Sequence, residues 1–237
     1  MRISVTAIVA LSSLLSSCHM GERVNGNGHV TSEERKITDA AKIKVMGSMD
    51  VYLQEGSPSI RVEAEDNLIP YILTTNNGDW LEVRAKDHVS FNSHAPMKVF
   101  ITTPYVDAVT ISGSGNVVSD SKVKSNDAIT VKIAGSGDVA LQLNAPRVDA
   151  SIVGSGDIKL SGETRDVNVN IAGGGDFKGD GLKAENAKVK ITGSGNVTVF
   201  ADVKLDAKVV GSGDVYYKGN AQVNQSIVGS GTIKRMN

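Results

Sequence analysis

Seven times from residue 113 onward in this 237-residue chain, an acidic, amide or hydroxyl side chain directly follows a Gly-x-Gly triplet: Asn116, Asp138, Asp157, Asp176, Asn196, Asp214 and Thr232. Aspartates repeated at a regular spacing can do two kinds of chemistry. Paired carboxylates can share acid and nucleophile roles in glycoside hydrolysis, and a row of them can hold a hard cation such as calcium. Asp138, Asp157 and Asp176 fall on successive repeats, and stacked coils would bring them within about 4.8 Å, the strand spacing of a sheet. The same position also accepts Asn116, Asn196 and Thr232. A turn tolerates that exchange, whereas a general acid or nucleophile does not. The 18 to 22 residues between repeats also leave little chain for the long loops that wall a polysaccharide cleft.

Calcium meets a different obstacle. In calcium-binding nonapeptide coils, Gly-Gly-x-Gly-x-Asp, a residue separates the last glycine from the aspartate. Here the aspartate follows at once, and the motif comes once per coil. Ionised carboxylates stacked in register repel by about 1 kcal/mol per pair in water, which intervening asparagines, nearby lysines or a loosely held cation would relieve. Asp138, Asp157, Asp176 and Asp214 therefore stand as a weak candidate ligand or cation ladder, with the capping of turns as the competing role. No residue is assigned to catalysis, to a cofactor or to a metal. His88 and His94 share one polar loop but lack an evident third ligand, and no Gly-x-Ser-x-Gly elbow, Walker loop, dinucleotide fingerprint or His-Glu-x-x-His motif occurs.

Cys18 is the only cysteine, so disulfides within the chain and cysteine-built zinc sites are excluded. It ends a segment with a basic start at Arg2, an apolar run from Ile3 to Leu15 and small residues after it. That run is too short to span a bilayer as a helix and fits an export signal. Leu15-Ser16-Ser17-Cys18 resembles a bacterial lipobox, which implies cleavage before Cys18 and acylation of its thiol and new amino group. Two or three acyl chains hold a protein on a membrane, where one is marginal. The expected organisation is a signal peptide over residues 1–17, a lipidated cysteine with a flexible, glycine-bearing tether over 18–36, and a folded domain over 37–237.

The elements that position the aspartates follow from the same repeat. One copy reads Ile152-Val153-Gly154-Ser155-Gly156-Asp157-Ile158, and the first glycines of the seven copies (Gly113, Gly135, Gly154, Gly173, Gly193, Gly211, Gly229) are 18 to 22 residues apart. A degenerate copy, Val45-Met46-Gly47-Ser48-Met49-Asp50-Val51, opens the folded region. Alternation of apolar and polar residues marks short strands throughout, with one helical turn expected near Leu68 to Leu73, where Pro70 suits a first turn. A period near 19 without helices is too short for propeller blades and predicts an all-β fold, a right-handed parallel β-helix or β-solenoid with coils of about 18–22 residues. Longer irregular coils are expected over 37–108 and regular ones over 109–237. Residues two before the first glycine, such as Ile111, Ile133, Ile152, Ile171 and Ile191, form the interior ladder. Residues one before it, Ser112, Ala134, Val153, Ala172, Thr192, Val210 and Val228, point outward as a small, mostly apolar stripe. That stripe is either an ordinary sheet face or a contact surface for another protomer, a glycan or a lipid.

Composition agrees with this picture. Fifteen of the 25 glycines sit in the seven motifs, so the glycine excess marks corners and not a flexible chain. The net charge is −1, and 24 − 26 = −2 after loss of residues 1–17, which gives no bulk field for nucleic acid.

The Gly-Ser-Gly-Asp/Asn repeats resemble a known family when taken with the opening Ile43-x-Val45-x-Gly47-x-x-Asp50-Val51-x-Leu53 and the closing Gly213-Asp214-Val215-Tyr216-Tyr217-Lys218-Gly219-Asn220. The family is that of the putative autotransporter adhesin head domains, called GIN domains. The resemblance runs from about Ile37 to Lys234. It implies a β-helical, surface-exposed or periplasmic lipoprotein of Gram-negative bacteria, and it brings no catalytic or binding residues with it. The expected function is that of a non-catalytic, lipid-anchored cell-envelope protein, an adhesin-like binding or structural solenoid on the outer membrane. Its partners would be the membrane, reached through the anchor, a glycan or envelope protein, and further copies of itself. A carbohydrate-active β-helix enzyme, lyase or hydrolase, is the rival from another class.

Overall fold

The computed structural model describes residues 21–37 and 41–236. It is nearly all β, a solenoid of about 6 turns, with no α-helix among the described residues. Cys18 and the signal segment lie outside them.

Each regular coil supplies two runs of strand joined at a Gly-x-Gly corner. The run ending at the first glycine pairs in parallel with its counterparts: Ala108–Gly113 with Ala128–Gly135, then Arg147–Gly154, then the later halves of Ile158–Gly173 and Phe177–Gly193, then Lys204–Gly211 and Gln222–Gly229. The run after the Asp/Asn position stacks separately, from Val117–Lys124 through Val139–Asn144 and the early halves of the two long strands to Val197–Phe200, Val215–Lys218 and Ile233–Arg235. Register is kept because one glycine faces the next: Gly113 opposite Gly135, Gly135 opposite Gly154, and so on to Gly229. Since side chains alternate, this register sends Val131, Ile133, Ala150, Ile152, Val169, Ile171, Val189 and Ile191 inward from one run. Val139, Leu141, Ile158, Leu160, Phe177, Val197 and Val215 meet them from the other in a single buried core. Each such aliphatic side chain contributes on the order of 1.5–3 kcal/mol when fully buried.

The degenerate copy forms the first coil. Lys42–Gly47 pairs in parallel with Ala108–Gly113, and Asp50–Glu55 with Val117–Lys124. Between this coil and the next, residues 56–107 leave the repeat and build a cap on its far side. Trp80–Ala85 and Lys98–Thr103 extend the two stacks in parallel, and then the direction reverses: Ile72–Asn77 lies antiparallel on Trp80–Ala85, and Ser59–Glu65 antiparallel on Lys98–Thr103. The single turn of 3-10 helix, Ile69–Tyr71, sits where the helical turn is expected, with Pro70 in its first positions.

The stretch expected as a tether differs. Glu22–Asn25 is a strand parallel to Val89–Asn92, and Val30–Arg35 is a strand antiparallel to Ser59–Glu65. Most of their side chains are exposed, so no apolar periodicity betrays them. Backbone pairing to strands distant in sequence holds them, together with Arg35, which donates to the Ile69 and Ile72 carbonyls.

Candidate functional site

At every corner the first glycine has a positive φ, between 127° and 138° from Gly113 to Gly229, a region that side chains rarely adopt. Its carbonyl also accepts from the next coil. The Gly113 carbonyl takes the N–H groups of both Ser136 and Gly137, and the Gly135 carbonyl takes those of Ser155 and Gly156. A β-carbon on the glycine above would run into that oxygen, and one on the second glycine would strike the carbonyl of the second glycine below. Met49 fills the second-glycine slot of the first coil, whose corner lies at the start of the glycine stack, and its side chain is buried in the core.

The next position completes the corner. Its N–H donates to the side-chain oxygen of the residue one coil earlier: Asn116 to Asp50 Oδ1 at 3.2 Å, Asp138 to Asn116 at 3.0 Å, and Asp157 to Asp138 at 2.8 Å. The series continues with Asp176 to Asp157 at 2.9 Å, Asn196 to Asp176 at 2.8 Å, Asp214 to Asn196 at 3.1 Å, and Thr232 to Asp214 at 2.7 Å. Asp138, Asp157, Asp176 and Asp214 are thus brought into one ladder, as their spacing predicts. The ladder is a chain of backbone caps, for which an amide oxygen serves as well as a carboxylate.

Asp157 and Asp214 also use their second oxygen. Lys178 Nζ lies 2.6 Å from Asp157 Oδ2, and the Tyr216 hydroxyl donates to Asp214 Oδ2. Burial opposes ionisation of Asp157, but Lys178 and the Asp176 N–H outweigh it and hold the carboxyl below its ordinary pKa. The Thr232 hydroxyl, then its N–H, does the same for Asp214. Both shifts run opposite to the raised pKa of a general acid in glycoside hydrolysis. Among the described residues no group of three His, Cys, Asp or Glu side chains could hold a metal.

The outward side of the glycine-ended run is different in kind. Its acids are engaged: Asp149 by Arg147 and Asn168, Asp166 by Arg165 and Asn186, and Asp206 by Lys204 and Asn224. The Arg165 bond holds Asp166 below its ordinary pKa, and the Lys204 bond does so for Asp206. The Arg147–Asp149 pair is part of the lining of a shallow groove of about 460 Å³, with Lys132, Ser151, Asn168, Asn170, Lys188 and Lys190. A further hollow of about 250 Å³ continues from Lys188 and Lys190 past Asp206 to Lys208, Asn224 and Ser226. Along one border of this face runs the small-residue stripe, with Ala134, Val153, Ala172, Thr192 and Val228 exposed and Ser112 and Val210 half-buried.

Sequence reasoning missed Glu65. Its side chain is buried, yet it accepts from the Ser93 hydroxyl at 2.7 Å, the Gly28 N–H at 2.6 Å and the His94 N–H at 3.1 Å, with His94 Nδ1 at 3.4 Å. The Ser93 bond, and after it the two backbone bonds, overcome the cost of burial and lower its pKa to about 2. His94 thus sits beside a carboxylate, whereas His88 occupies a tight turn with a φ of 62°. Only the short polar spacing of Glu65 and Asp66 ahead of the helical turn could have pointed to it.

Stacked coils, a capped corner and a broad outward side-chain array define a parallel β-solenoid. The chain belongs to the family described as putative auto-transporter adhesin, head GIN domain, whose sequence profile matches residues 40–221. Among solved structures it is similar to a putative adhesin from Bacteroides fragilis, at 23% identity and a TM-score of 0.85 over 90% of this chain and 100% of that one. A putative lipid binding protein from Parabacteroides distasonis gives 26% identity and a TM-score of 0.77 over 91% and 100%. A putative adhesin from Parabacteroides merdae gives 25% and 0.72 over 92% and 100%. No curated protein matches the chain.

Proposed function

We propose that this protein is a lipid-anchored outer-membrane component that binds a glycan or envelope partner through the outward face of its solenoid, without catalysis. One observation carries the reading: the corner carboxylates cap backbone N–H groups between coils, while the neighbouring face keeps exposed, register-matched polar rows. Adhesin family membership points to the cell envelope or surface. The anchor itself rests on the Leu15 to Cys18 lipobox.

Metabolic labelling with a fatty-acid analogue, followed by membrane fractionation, tests the anchor. The wild-type chain should carry label and sediment with the outer membrane, and Cys18→Ala should lose both. A Cys18→Ala chain that stays in the membrane fraction would overturn this reading of the anchor. The carbohydrate-active alternative predicts sugar release by the purified protein that is lost in Asp157→Asn.

A further inference from the structure

We infer that the lysine-lined groove on the glycine-ended face is a binding site for a linear acidic polysaccharide, a uronate-bearing chain lying along the solenoid axis. The inference rests on the binding role proposed above and names its ligand class.

Charge is the first ground. Lys132, Lys188, Lys190 and Lys208 are exposed, and among the described residues none of them makes an ion pair. Lys188 influences Asp206 by charge alone, since Asp206 is held by Lys204. The three acids of this face, Asp149, Asp166 and Asp206, already have basic and amide partners, so the surplus on the groove is positive although the chain as a whole is not. Unpaired ammonium groups set along a groove meet the carboxylates of an extended polymer at little desolvation cost.

Shape is the second ground. The groove and its continuation pass over the runs from Ala128–Gly135 to Gln222–Gly229, five coil steps or about 24 Å at the strand spacing. Within one register column, Lys132, Ser151, Asn170, Lys190, Lys208 and Ser226 follow coil by coil. Ammonium groups are thus interspersed with hydroxyl and amide groups, which suits a polymer with one carboxylate among several hydroxyls. No aromatic ring lines the groove, so the stacking platforms that single-stranded nucleic acid uses are missing from it.

The test measures binding of the purified full chain to polygalacturonate, to neutral dextran and to single-stranded DNA. Two charge-matched triple variants are compared: Lys188→Gln/Lys190→Gln/Lys208→Gln in the groove, and Lys122→Gln/Lys159→Gln/Lys234→Gln off it. All the altered side chains are exposed, and matched thermal melts check that both variants fold. The groove variant should raise Kd for polygalacturonate at least about tenfold, the control variant should leave it near wild type, and added salt should weaken wild-type binding. Equal losses in both variants, or wild-type binding of DNA as tight as of polygalacturonate, would overturn the site. Binding of dextran but not polygalacturonate would overturn the acidic ligand and leave the binding role standing. Binding to neither, nor to any glycan on an array, would overturn both.

Discussion

Asp176 shows what a corner asks of a single side chain. Its Oδ1 receives the Asn196 N–H at 2.8 Å and the Asn196 amide at 3.2 Å. The backbone N–H at this position has no carbonyl to meet one coil earlier, and an unpaired donor is costly where it is partly buried. Asp176→Asn should therefore leave the denaturation midpoint nearly unchanged, while Asp176→Ala should destabilise by about 1 kcal/mol, read from paired urea titrations. Equal losses would show that the charge, and not the acceptor, matters. Thr232, in the last described coil, adds to this cap by donating its own hydroxyl to Asp214. The interchange of Asp and Asn was readable from the sequence. Which atom they satisfy was not, because donor and acceptor are 18 to 22 residues apart.

At the scale of elements, the N-terminal strands and the cap depend on Glu65. The strands Glu22–Asn25 and Val30–Arg35 expose most of their side chains, so their placement rests on backbone pairing and on the Glu65 carboxylate, which ties residues 28, 93 and 94 together. A β-carbon at Gly26 would overlap that carboxylate, so a larger residue there would have to displace it. The folded-state pKa of Glu65, about 2, is below its ordinary value of 4.5, so the unfolded chain binds the proton more readily. Its stabilisation is complete above about pH 4.5 and is lost as the pH falls toward 2. Glu65→Gln should be less stable than wild type at neutral pH, and the gap should narrow over that window, measured as denaturation midpoints against pH. A gap that stays constant would remove the carboxylate from this role. The tether reading failed at these strands because edge strands with polar faces carry no periodic signal, and their partners, Val89–Asn92 and Ser59–Glu65, lie far along the chain.

Over the whole molecule, each coil touches mainly its two neighbours, so stability approximates a sum over coils and their interfaces. Deleting 155–173 joins Gly154 to Gly174-Gly175-Asp176 and restores the corner motif with the interior parity intact. That shortened chain should fold, with a moderately lower melting temperature. Deleting 155–164, half a coil, reverses the stacking and should yield no cooperative melt by circular dichroism. A cooperative transition in the second deletion would contradict register control by the glycine corners.

The sequence alone determined the coils, their register and the inward ladder, because a period near 19 with strict alternation leaves one way to bury Ile133, Ile152 and Ile171 together. It also marked the Asp138 to Asp214 row and the small-residue stripe, whose members are set by local parity. The tertiary structure decided what that row does, how the first coil is capped, and which lysines remain unpaired. Those outcomes depend on partners one or more coils away, and a hydrogen bond or ion pair between distant residues exists only once stacking has brought their atoms within about 3 Å.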